Sequence, residues 1–249
     1  MNLVRCHAAW LLLCGAVGLA GCGLRTQPQP VALVLPTVET ISLRQQDARI
    51  VLAWQQPPAS QAHGAPEAYA VSIVRTPLDC PMCEPVIVVE RRVPASGEPW
   101  MYEVLPLAPE PALWRARVQP EFAAGLAAPS PVALLEAPVQ IPSHALEGAW
   151  LGAERARLRL SWAVRREREV RFVTAEGEVG TRVLYYRVNI YRRSPGGAWP
   201  LAPINAEPIA GGSLTLPADA TLRLSEFALR LVDQAGNEGP LSLPWRPAS

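Results

Sequence analysis

Two cysteines three positions apart, Cys80-Pro81-Met82-Cys83, are the residues best able to do chemistry. Such a pair can close a disulfide, exchange disulfides through a thiolate of lowered pKa, or supply half of a metal site. It falls between two apolar runs, YAVSIVRT at 69–76 and VIVVERRV at 86–93, and therefore at the tip of a hairpin. Thiol exchange ordinarily draws on a helix N-terminus beside the first sulfur inside a βαβ unit, and neither is legible here. Zinc would need two further ligands, and beyond the first 21 residues the histidines are His63 and His144, one of them in the other half of the chain. Haem attachment would need a histidine where Glu84 stands. The favoured reading is a structural disulfide between Cys80 and Cys83, with thiol exchange and metal ligation kept as alternatives. A loop this short removes little chain entropy, so the bond contributes about 2 kcal/mol or less.

Other candidates weigh less. Asp47, Asp79, Asp219 and Asp233 each fall at a predicted turn or strand edge, where a carboxylate caps backbone amides. His63 lies in the loop Gln-Ala-His-Gly-Ala and His144 between the halves, and neither has a partner that would make a base or a nucleophile. There is no Gly-rich phosphate loop and no H-E-x-x-H. No catalytic, cofactor or metal site is expected, and the chain reads as a non-enzyme. Of the eight tryptophans, Trp54 and Trp162 occupy repeated core positions, while Trp100 and Trp114 lie on strand-like segments. Trp150 and Trp199 fall near predicted loops and are the better candidates for an exposed contact, for example with a polysaccharide.

The N-terminus tells where these residues are deployed. Residues 1–21 combine a basic Arg5, an apolar run from Ala8 to Leu19 and small residues at the end, the three parts of an export signal. The run is too short for a bilayer, which takes roughly 20 apolar residues. Leu19-Ala20-Gly21-Cys22 resembles the lipobox of bacterial lipoproteins. That resemblance implies cleavage before Cys22 and acylation of its thiol, anchoring the protein to a lipid bilayer without a transmembrane helix. Residue 23 is glycine rather than the aspartate that retains such proteins in the inner membrane of enteric bacteria, so the outer membrane of the cell envelope is the expected location. Residues 22–36 hold three prolines and little charge, which suits an extended tether. Export to an oxidising compartment also favours the Cys80–Cys83 disulfide.

Composition bounds the remainder. Hydrophobic residues at 49% and charged residues at 18% fit a folded core rather than disorder. The 27 prolines punctuate apolar runs and argue against long helices. All 23 basic residues are arginine, against 22 acidic ones, and removal of residues 1–21 takes away Arg5. The remaining chain is formally neutral, with no electrostatic reason to expect nucleic acid.

The strongest architectural signal is internal repetition. ARIVLAW ending at Trp54 recurs as ARLRLSW ending at Trp162, and YAVSIVR from Tyr69 recurs as YRVNIYR from Tyr186. Alternate apolar residues in both copies, Ile50, Leu52 and Trp54 against Leu158, Leu160 and Trp162, give the period of a strand with one buried face. WRARVQ from Trp114 and FALRLVD from Phe227 continue the series. These segments resemble the fibronectin type III family, as does the turn Asp233-Gln-Ala-Gly-Asn-Glu-Gly239. The resemblance implies an all-β chain of two tandem immunoglobulin-like sandwiches, at 37–137 and 138–249. Copy two places 24 positions between its Trp and its Tyr, against 15 in copy one. The insertion at 163–185 alternates apolar residues about a Glu-Gly turn and is expected to form its own hairpin. The expected role is that of a lipid-anchored spacer or protein-interaction module, with another envelope protein as partner. Thiol-disulfide exchange through Cys80 and Cys83 and polysaccharide binding through exposed tryptophans stand as alternatives.

Overall fold

The computed structural model describes residues 34–247, apart from 60, 61, 63, 153, 154, 175 and 220. The first half contributes eight strands: β1 (Ile41–Gln46), β2 (Arg49–Gln55), β3 (Ala68–Pro77), β4 (Val86–Pro94), β5 (Trp100–Pro106), β6 (Ala112–Phe122), β7 (Gly125–Leu126) and β8 (Ala133–Ala137). They form two antiparallel sheets. One has the order β1-β2-β5. In the other, β4 and β6 flank β3, and the far edge of β6 takes β7 at one end and β8 at the other.

Period-two patterning decides which side chains meet between the sheets. Along β6, Ala112, Trp114, Ala116 and Val118 are buried at every second position. They face Ile50, Leu52 and Trp54 of β2 in the opposite sheet and lie beside Tyr69, Val71 and Ile73 of the neighbouring β3 in one apolar cluster. Trp54 meets Tyr69 edge to face, with ring centroids 5.5 Å apart, a favoured quadrupole geometry. Both halves of the predicted repeat thus pack on each other. β2 differs from the one-faced strand expected of it, because Val51 and Ala53 are buried as well. It is the central strand of its sheet, and these small side chains stand between Arg44 and Val104 and between Ser42 and Tyr102.

The second half adds β9 (Glu147–Leu151), β10 (Arg157–Ser161), β11 (Arg166–Val173), β12 (Val179–Tyr185), β13 (Arg187–Arg193), β14 (Ser213–Pro217) and β15 (Glu226–Val232). β9-β10-β14 is one sheet, and β13 pairs with β15 in the other. The final segment returns along β15, with backbone hydrogen bonds exchanged between Phe227 and Trp245. Leu158, Leu160 and Trp162 pack against Val188, Ile190 and Leu229 in a second cluster. β10 keeps the strict alternation its sequence shows, with Arg157 and Arg159 exposed.

The insertion forms the expected hairpin, β11 against β12, turning at Gly177 with φ 84°, a conformation glycine adopts without penalty. The architecture is all-β, two sandwiches in tandem. One apolar cluster is drawn from Val38 to Ala137 and the other from Val139 to Trp245, within a single compact body that runs from Leu35 onward.

Candidate functional site

The β3–β4 hairpin carries the cysteine pair at its tip. Cys80 and Cys83 are joined by a disulfide, with Cα atoms 5.4 Å apart. Two backbone hydrogen bonds tighten the loop, Cys83 N–H to Cys80 O at 3.0 Å and Cys80 N–H to Pro77 O at 3.3 Å. Leu78 N–H ties the base to Pro111 O at 3.1 Å. In this state neither sulfur is a thiolate or a metal donor.

The loop holds apolar groups out into solvent. Met82 is 94% exposed and Ile87 62%, with Val86 and Leu78 about half exposed beside them. The pairing of β4 with β3 slips by one residue, so that Ile73 faces Val89 while Val74 faces Ile87, and Val88 is bulged out. Among the described residues no strand pairs with the other edge of β4. Arg75 is engaged by Glu110 at 3.4 Å, whereas Asp79 and Glu84, which flank the tip, enter no ion pair among the described residues.

A second feature lies where the sandwiches meet. The turn after β15 is built by Asp233, whose Oδ1 accepts from the backbone N–H groups of Ala235 and Asn237, with Gly236 at φ 85°. This geometry delivers Asn237 and Glu238 onto β1 of the first sandwich. Glu238 N–H donates to Gln45 O at 2.8 Å, and Asp47 N–H donates to Glu238 O at 2.9 Å. A short parallel bridge therefore crosses between sandwiches.

The Glu238 side chain, 1% exposed, accepts from Gln46 Nε2 at 2.9 Å, Asn189 Nδ2 at 2.7 Å and the Tyr191 hydroxyl at 2.5 Å. Arg230, 3% exposed, brings Nε to 3.8 Å from the same carboxylate and donates from Nη1 to Gly239 O at 2.6 Å. Burial pushes the Tyr191 phenol well above its ordinary pKa, and the adjacent Glu238 charge pushes it the same way. Burial also lowers the Arg230 pKa, against the opposing pull of Tyr191 and Glu238. Gln45 completes the seam by exchanging hydrogen bonds with the backbone of Val139 at 2.7 and 2.8 Å. Such a network is stabilising only because almost every group in it is paired.

Cys22 and His63 lie outside the described residues. His144 Nε2 is 2.7 Å from the Ala163 carbonyl oxygen. Asp219 caps the backbone N–H groups of Thr221 and Leu222, as expected of a turn aspartate. The hydroxyl of Thr221 donates to it, and this bond leads in holding its pKa below the ordinary value. Among the described residues no group of three or more His, Cys, Asp or Glu side chains could hold a metal.

The tryptophans redistribute. Trp150 is on β9, partly buried against the second cluster, rather than in a loop. Trp199 carries the Arg193 guanidinium over its ring, 4.2 Å from the centroid. Trp114 is fully buried, and Trp100 is partly exposed at the start of β5.

No family model matches the chain, and no curated protein matches it. Solved structures to which it is similar include the chicken CNTN1 FN1–FN3 domains, at 12% identity over 84% of this chain and 63% of that one, with a TM-score of 0.32. The third fibronectin III domain of human KIAA0343 protein aligns at 13% identity over 44% of this chain and 87% of that one, also with a TM-score of 0.32. A two-domain fibronectin type III segment of chicken tenascin aligns at 10% identity over 84% and 97%, with a TM-score of 0.28. The sandwich architecture of the present chain rests on its own strand pairing and its two apolar clusters.

Proposed function

We propose that this chain is an envelope lipoprotein, acylated on Cys22, whose two fibronectin type III-like sandwiches form a stiff, non-catalytic spacer that presents contact surfaces to another envelope protein. The observation that carries this reading is the junction at Glu238. A flexible tandem would leave few hydrogen bonds between its domains and would hide no charge there. Here backbone pairing of Glu238 with Gln45 and Asp47, and the hydrogen bond from Gln46 to the buried Glu238 carboxylate, join the second sandwich to the first.

The Leu19-Ala20-Gly21-Cys22 motif supports the anchor, and the proline-containing tether at 22–36 supports a body held away from the lipid surface. Gly23 supports placement in the outer membrane. Mass spectrometry of the membrane-extracted protein tests the anchor. The expected N-terminal peptide begins at Cys22 with diacylglycerol and amide-linked acyl mass, and a Cys22→Ser chain accumulates as unprocessed precursor. A soluble wild-type protein with an unmodified N-terminus would contradict the reading.

A further inference from the structure

We propose that the disulfide-closed tip of the β3–β4 hairpin is a docking knob that inserts into an apolar groove rimmed by basic side chains on a partner protein. The inference rests on the reading of the chain as an interaction module and names the surface and the chemistry that meets it. Three observations carry it.

First, Leu78, Met82, Val86 and Ile87 cluster within ten residues and stand in solvent. Exposed apolar groups concentrated at one loop tip mark contact surfaces, and methionine is enriched where proteins meet.

Second, the knob is pre-shaped. The Cys80–Cys83 bond and the loop hydrogen bonds hold Met82 at the apex. Less ordering entropy is therefore lost when a partner closes over it.

Third, the charge within the tip segment has one sign. Residues 76–88 hold Asp79 and Glu84 and no basic residue, and Arg75 below them is engaged by Glu110. Two carboxylates without ion-pair partners beside an apolar apex are complementary to arginine or lysine around an apolar groove. The same carboxylates disfavour an anionic lipid surface as the occupant. The bulge at Val88 disturbs the exposed edge of β4 where continued strand addition would need regular pairing, so the tip, rather than the edge, is the contact.

The test uses the full acylated chain in its native membranes. A photo-crosslinking phenylalanine analogue is placed at Met82 or Ile87, and at Val179 or Leu243 as exposed sites elsewhere, and the linked residues are mapped by mass spectrometry. Expected are adducts from Met82 and Ile87 to one protein, with the linked partner residue in an apolar groove within reach of arginine or lysine. In a chain labelled at Ile87, Met82→Asp lowers the adduct yield about tenfold or more, the effect of losing a central interface anchor. Asp79→Asn with Glu84→Gln lowers it further at low salt than at high salt. Adducts only from Val179 or Leu243 would overturn the knob while leaving an interaction module in place. Adducts from Met82 to lipid, or to a groove with an acidic rim, would overturn it too. No protein adduct from any of the four positions would overturn the knob and the module reading together.

Discussion

The Gln46 side-chain amide donates to the Glu238 carboxylate at 2.9 Å, joining the last residue of β1 to a turn 192 positions further along the chain. Neither residue is accessible to solvent, and backbone hydrogen bonds run on either side of them. The junction is thus a small polar core between two apolar ones. Removing a single member leaves buried donors without an acceptor, and that is the expensive way to break such a network.

Replacing Glu238 with alanine leaves Asn189 Nδ2 and the Tyr191 hydroxyl without their acceptor and removes the carboxylate beside Arg230, while Gln46 keeps the Leu201 carbonyl. The expected loss is about 3–5 kcal/mol. Glu238→Gln keeps one acceptor oxygen but turns the other into an amide NH2 that faces a donor, so its cost is smaller than that of alanine, about 1–3 kcal/mol. Urea titration followed by tryptophan fluorescence checks both, since Trp54 and Trp162 report one from each apolar cluster. The wild type unfolds in one transition, and Glu238→Ala separates it into two.

Alkaline pH acts on the seam through Tyr191 and on the first apolar cluster through Tyr69. Burial raises the Tyr191 phenol above its ordinary pKa of 10.0, and burial raises Tyr69 to about 12. Unfolded tyrosines titrate near 10, so the folded state holds protons that the unfolded state gives up. The stabilisation is fully present below pH 10 and is lost as pH rises through 10 toward the folded values, at no more than about 1.4 kcal/mol per pH unit for each phenol. Melting temperatures between pH 8 and 12 check the sign, and Tyr191→Phe flattens the decline.

Much of this body is legible in the sequence. The spacing of Ile50, Leu52 and Trp54 and its echo in Leu158, Leu160 and Trp162 mark the two core strands, because a period of two names the buried face without reference to any partner. The surplus between Trp162 and Tyr186 marks the β11–β12 hairpin, and the turn at Gly177 completes it. A hairpin tip and an export signal favour closure of the Cys80–Cys83 pair over thiol exchange or metal ligation, and the bond is formed. The Gln46–Glu238 contact is invisible by comparison. Polar residues at a strand end and in a turn read as solvated, and period carries no information on what lies 192 positions away. Trp150 misleads for a related reason. It reads as near a loop, while in the fold it lies on β9, where Gly148 makes room for the Trp245 ring.

That close approach yields its own prediction. A Cβ on Gly148 would sit 2.6 Å from the Trp245 ring, and Trp245 is held by two backbone hydrogen bonds to Phe227. Gly148→Ala therefore displaces the ring and destabilises by about 1–3 kcal/mol, the usual cost of overpacking. A shift in tryptophan emission accompanies the loss.

Reduction of the hairpin tip should leave the body intact. Cys80→Ser with Cys83→Ser costs about 2 kcal/mol or less, because the closed loop is short and none of its residues belongs to the apolar cluster. Far-ultraviolet circular dichroism stays unchanged, and a small fall in melting temperature is the readout.

The stiffness of the junction is measured most directly by the distance between the sandwiches. Spin labels on Leu126→Cys and Leu224→Cys, both at exposed positions and one in each sandwich, give that distance by double electron–electron resonance. A joined pair gives one narrow peak that broadens when Glu238→Ala is added. A broad distribution in the otherwise wild-type chain, or a narrow peak unchanged by Glu238→Ala, would contradict a spacer held rigid at Glu238.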